Sequence, residues 1–96
     1  MTFPKKVDAN QADIAAALRK VGCTVQTLHT VGRGVPDLLV GRHGVNYLLE
    51  CKTPKGALTP DETQWHSDWR GQVHVVRSIN DAFNALGIVA IWQEER

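Results

Sequence analysis

The chain has 96 residues, enough for one hydrophobic core and too few for two, so residues 1–96 are read as a single domain. Its 11 Lys and Arg against 10 Asp and Glu leave a formal charge of +1, which excludes a binder held to its partner by overall charge. There is no long apolar span, signal-peptide pattern, repeat or low-complexity tract, and Cys23 and Cys51 form no CxxC pair, so a reducing, cytoplasmic setting without membrane contact is expected.

Asp8-Ala9-Asn10-Gln11 reads as a capping box, opening a helix that alanine-rich sequence carries to about Val21 before Gly22 ends it. Ile14, Ala15 and Leu18 form its apolar stripe, and Gln11 lies on that stripe three residues before Ile14. Residues 23–28 have strand character. Residues 29–35 then form a loop in which Gly32-Arg33-Gly34 either permits close backbone approach to a phosphate or makes a simple turn. Residues 37–42 and 46–52, rich in Leu, Val and Tyr with His43-Gly44 between them, read as a β-hairpin. Thr53-Pro54-Lys55-Gly56 breaks the second strand, and Thr59-Pro60-Asp61-Glu62 starts a helix with a cap, a first-position proline and a capping-box glutamate. That helix carries Trp65 and Trp69 on one face, as core or interface anchors, and is expected to stop at Gly71. Residues 73–76 read as a fourth strand, and Ser78 opens a third helix running through Leu86 to Gly87. Residues 88–92 suit a strand, a short helix or a dimer contact alike. The order αβββαβα predicts an α/β domain with a sheet covered by helices on both faces.

Asp37 and Glu50 are the only acidic residues between Ile14 and Pro60. A turn centred between His43 and Gly44, whether of two or four residues, pairs residues whose numbers sum to 87, which sets Asp37 opposite Glu50. Opposed residues share a sheet face with Cβ atoms about 4.5–5.5 Å apart, and alternation adds Lys52 to that face. Two carboxylates so close repel unless a cation neutralises them, and hard oxygen donors select Mg²⁺ or Mn²⁺, with the Cys51 carbonyl as a further oxygen. Such a site suits phosphodiester hydrolysis. The metal polarises a phosphoryl oxygen and activates water, while the adjacent lysine orients or deprotonates that water or neutralises developing charge. The competing reading is a Glu50–Lys52 salt bridge on an exposed strand, with Asp37 as a turn residue. Against it, the apolar runs 38–40 and 48–49 mark strands covered on each side, where unpaired charge is expensive. A basic stripe through Arg33, Arg42 and Lys55 would position phosphates without reading bases, with ordinary solvated charge as the competing reading of each.

Pro36-Asp37, a spacer, and Glu50-Cys51-Lys52 resemble the PD-(D/E)xK nuclease signature. The wider text is similar to the VRR-NUC branch of that superfamily: Gly34-x-Pro36-Asp37-Leu38-Leu39-Val40, then Leu49-Glu50-Cys51-Lys52-Thr53-Pro54-x-Gly56-x-Leu58-Thr59-Pro60, Gln64, and Val75-Val76-Arg77-Ser78. The resemblance runs from Asp8 to about Gly87 and is to small stand-alone members of the kind carried by bacteriophages. It implies a restriction-endonuclease-like mixed sheet and Mg²⁺- or Mn²⁺-dependent DNA cleavage. Asp37 and Glu50 match the metal-binding acids, Cys51 lends its carbonyl, Lys52 matches the catalytic lysine, and Gln64 matches a glutamine near the active site. It also implies a homodimer acting on branched DNA such as four-way junctions, in the host cytoplasm if phage-encoded. Many relatives carry a glutamate on the inward stripe of the first helix. Here the nearest match is Gln11, with Asn10 the alternative, and a neutral amide holds a metal-bound water without adding charge. Gln11 has the capping box as its competing role. Together with the modest net charge it motivates the rival reading, a DNA-binding module that keeps the fold and does not cut.

Overall fold

A computed structural model describes residues 9–89. Helix α1 (Ala9–Lys20) buries Gln11, Ile14, Ala15 and Leu18 on one face, the stripe that the sequence predicts. Arg19 and Lys20 occupy its last turn, where cations complement the exposed carbonyls. The expected cap at Asp8 lies outside the described residues.

Strands β1 (Thr24–Thr27), β2 (Leu38–Arg42) and β3 (Val45–Cys51) form an antiparallel meander, and β4 (His74–Val76) adds to β3 in parallel, giving the spatial order β1-β2-β3-β4. A parallel neighbour needs a crossover, which α2 (Pro60–Asp68) provides; α3 (Ile79–Leu86) follows β4. The order αβββαβα and the mixed sheet are those expected. His43 and Gly44 take φ of 51° and 79°, the left-handed pair of a two-residue type I′ turn. That turn pairs Leu38 with Leu49 through to Arg42 with Val45, the register inferred from its centre.

Alternation along these strands sends Leu38, Val40, Leu49, Cys51 and Val76 to one face, where they meet Ile14, Ala15 and Leu18 of α1 and Ala82, Phe83 and Leu86 of α3. Each large aliphatic side chain buried there contributes about 1.5–3 kcal/mol. Ser78 caps α3 through its hydroxyl, which accepts from the Asp81 N–H, and Gly87 ends it at φ 75°. Both cysteines are buried core thiols outside any disulfide, with Cys23 just ahead of β1 rather than inside a strand.

The opposite face differs from the expectation of strands covered on each side. It is covered only in part: α2 has no fully buried residue, and Leu39 and Val75 each stay 37% exposed. The reason is the length of α2, which stops at Asp68 rather than at Gly71. Trp69 turns extended (φ −73°, ψ 131°), its indole stacks on Trp65 at 4.7 Å, and its ring N–H donates to the Gln72 carbonyl. Gly71 serves that turn instead of ending the helix, since a Cβ there would crowd the Trp69 indole. Ile88 and Val89 have no regular structure, and the rest of the 88–92 segment lies outside the described residues. Among the described residues no helix is long and apolar enough to cross a membrane.

Candidate active site

Asp37 occupies a bend immediately before β2. Its carbonyl accepts from the Leu28 N–H at 2.8 Å, and its Oδ2 accepts from the Cys51 N–H at 2.8 Å, so the carboxylate is stitched to β3 directly beside Glu50. The Glu50 side chain is 1% exposed. Lys52 follows on the same face of β3, with Nζ 3.9 Å from Glu50 Oε2 and 2.7 Å from Glu62 Oε1. From α2, His66 brings Nε2 to 3.7 Å from Glu50 Oε1. The sheet thus supplies Asp37, Glu50 and Lys52, and α2 supplies Glu62 and His66.

The start of α2 fixes that convergence. Thr59 Oγ1 accepts from the Glu62 N–H, and Glu62 Oε1 accepts in return from the Thr59 N–H at 2.8 Å, a complete capping box. The same Glu62 oxygen receives the Lys52 ammonium, so one atom serves both the helix cap and the lysine. Gly34 lets the loop before Asp37 lie against this turn: its φ is 82°, and a Cβ there would overlap the Asp61 carbonyl. Here the glycine's freedom is spent on α2 rather than on a phosphate.

Burial, the Asp37 charge, a hydrogen bond with Asp37 and the Glu62 charge together push the Glu50 carboxyl up to about 9, against the opposing pull of Lys52. Burial alone would lower Lys52, but its hydrogen bond and charge pairing with Glu62, with Glu50 and Asp37 behind, hold the ammonium above its ordinary value. Glu62 is held below the usual range because Lys52 and the Thr59 contacts outweigh its burial. Burial keeps the His66 imidazole below its usual value, with Lys52 adding to the effect and Glu62 opposing it. Glu50 Oε1, His66 Nε2 and Gln11 Nε2 are buried without a hydrogen-bond partner, in a class of atoms that is almost always satisfied.

Gln11 is buried on the core stripe of α1, while its neighbour Asn10 donates to the Lys52 carbonyl at 2.7 Å and the Arg77 carbonyl at 3.2 Å. Gln64 is exposed on the side of α2 away from Glu62 and His66, its amide donating to both oxygens of Asp68 at 3.1 Å. Arg33 borders a cleft of about 190 Å³ shared with His29, Asp37, Thr59, Asp61 and Glu62. Lys55 is exposed on the loop after β3. Arg42 sits at the far end of β2, about 17 Å of strand from Asp37, and donates to the Leu86 carbonyl at the end of α3. The Cys51 N–H and C=O share one side of the strand, the side of Asp37.

Three residues here carry no site role in the sequence reading. Glu62 is read there only as a cap and His66 is given no role, yet both lie on one helical face, four residues apart, once Thr59 sets the start of α2. Arg77 donates to the Thr53 carbonyl at 2.8 Å and the Gly56 carbonyl at 2.6 Å, closing the loop that follows Lys52. Among the described residues no three His, Cys, Asp or Glu side chains form a ready cage for a metal ion. The acidic pair nevertheless suits a cation that is bound through one or two carboxylates and completed by water and phosphate oxygens.

No family model and no curated protein matches the sequence. Among solved structures, one described as a VRR_NUC domain superposes on 82% of this chain and 91% of its own length, with a TM-score of 0.67 and 27% sequence identity.

Proposed function

This chain belongs to the VRR-NUC family, a nuclease-type domain, and from that premise we propose that it is a Mg²⁺- or Mn²⁺-dependent DNA endonuclease selective for branched structures such as four-way junctions. One observation carries the reading. Glu50 is buried against Asp37 with an oxygen that nothing satisfies, an arrangement that is costly alone and favourable around a cation. Asp37 and Glu50, with the Cys51 carbonyl, would hold that ion, which when bound polarises the phosphoryl oxygen and makes water a better nucleophile. Lys52, kept protonated by Glu62, neutralises charge developing on the phosphate. Arg33, at the cleft beside Asp37, and Lys55, exposed on the loop after Lys52, would take neighbouring phosphates, whereas Arg42 contacts DNA only if the duplex extends to the hairpin turn. Gln64 helps to position the water only by giving up its bonds to Asp68, and Glu62 already stands closer to that task. A homodimer would present two such sites, suited to cutting two strands of one junction.

The test uses labelled junction, flap and linear DNA, with and without Mg²⁺ or Mn²⁺, for the protein and for Lys52→Ala. Metal-dependent cleavage that favours branched DNA and falls at least about 10²-fold in Lys52→Ala is expected. Binding without cleavage on every substrate would leave the DNA-binding module as the reading.

A further inference from the structure

Helix α2 aims at Glu50 a donor that the nuclease reading leaves unused. His66 Nε2 stands 3.7 Å from Glu50 Oε1, too far for a hydrogen bond, and both atoms are buried and unsatisfied. Two orphans facing one another across such a gap mark the place of a group that contacts both. The separation is one that two ligand atoms, each about 2.0–2.2 Å from a shared ion, readily span. Glu62, the other acid on this face of α2, is already committed to Lys52 and to the Thr59 N–H, which leaves the imidazole as the donor α2 has to offer.

We propose that His66 is a nitrogen ligand to the cation held by Glu50, and that it shifts the preference of the site from Mg²⁺ toward first-row transition ions. This rests on the metal-dependent reading above and adds a donor and a selectivity to it. Imidazole adds affinity without a further negative charge in a site that already holds Asp37, Glu50 and Glu62. Mg²⁺ keeps oxygen ligands and gains little from nitrogen, whereas Co²⁺ gains substantially and Mn²⁺ to a lesser degree. Pro60-initiated α2 is short and lightly packed, so a small approach of His66 to Glu50 costs little core burial.

Calorimetric titration of the purified protein and of His66→Ala with Mg²⁺, Mn²⁺ and Co²⁺ tests this directly. Loss of the imidazole is expected to weaken Co²⁺ binding about ten-fold or more and Mn²⁺ binding less, with Mg²⁺ binding within about three-fold of the parent. His66→Gln, which keeps a polar group, is expected to behave as His66→Ala with Co²⁺. A readout that needs no variant is pulsed electron paramagnetic resonance of the Mn²⁺-loaded protein, where directly bound imidazole gives ¹⁴N modulation. Absence of that modulation, or equal effects of His66→Ala on all three ions, overturns the proposal. If Glu50→Gln abolishes binding while His66→Ala changes nothing, the nuclease metal site stands and His66 is removed from it. A parent protein that binds none of the three ions removes both.

Discussion

Glu50 is the residue on which folding and chemistry pull in opposite directions. Its carboxyl is raised from an ordinary 4.5 to about 9, so the folded state holds a proton that the unfolded chain has released. The stabilisation tied to that proton is complete below about pH 4.5 and is lost as pH climbs through 9. In the presence of a chelator, the melting temperature is therefore expected to fall between these pH values, and Mg²⁺ or Mn²⁺ should restore most in the upper part of the window. Glu50→Gln should stabilise the metal-free protein at pH 8 by about 1–3 kcal/mol, measured by urea unfolding, while abolishing cleavage. Glu62 allows a cleaner separation of roles. Glu62→Gln keeps a capping-box side chain, so stability should change by less than about 0.5 kcal/mol, but the ion pair with Lys52 disappears and the pH profile of cleavage should shift to lower pH. At this scale the sequence was informative for Asp37, Glu50 and Lys52, because strand alternation and a turn centre are enough to bring them together. It was silent about Glu62 and His66, since their roles depend on how α2 docks, which no local pattern encodes.

Among the elements, the hairpin was legible and the far end of α2 was not. His43-Gly44 announces a two-residue turn, and the pairing follows by counting; the end of α2 instead comes at Trp69, which turns extended with its indole stacked on Trp65 and bonded to the Gln72 carbonyl, ahead of the glycine two residues later. Docking of α2 depends on Gly34. Gly34→Ala places a methyl group into the Asp61 carbonyl at a backbone angle unfavourable for alanine, so the helix must lift from the loop. A loss of about 1–3 kcal/mol in urea unfolding is expected, with cleavage falling further than stability alone explains because Glu62 and His66 move with the helix. Thr59→Ala, which removes one half of the capping box and leaves the loop contact, should cost about 1 kcal/mol and spare more activity.

For the whole molecule, a sheet packed by α1 and α3 on one face and covered in part by α2 on the other leaves Leu39 and Val75 accessible on the face that carries Glu50, with exposed Trp69 lining the same groove as Leu39. An expectation of two covered faces came from continuous apolar runs in β2 and β3, which record burial without saying whether a helix of the same chain provides it. If the proposed homodimer uses this area, light scattering should give the mass of two chains, and Leu39→Asp should halve it. The hairpin turn has a consequence for the gene that encodes this protein. Each strand position changes face when the count changes by one, so a single codon inserted or deleted at His43-Gly44 would turn Glu50 and Lys52 toward the hydrophobic core while leaving every functional codon intact. Two codons added together would keep the parity and lengthen only the loop. A length change at this tip, remote from the reaction, therefore reaches the site through strand parity, whereas a substitution there acts only through the strain of the turn.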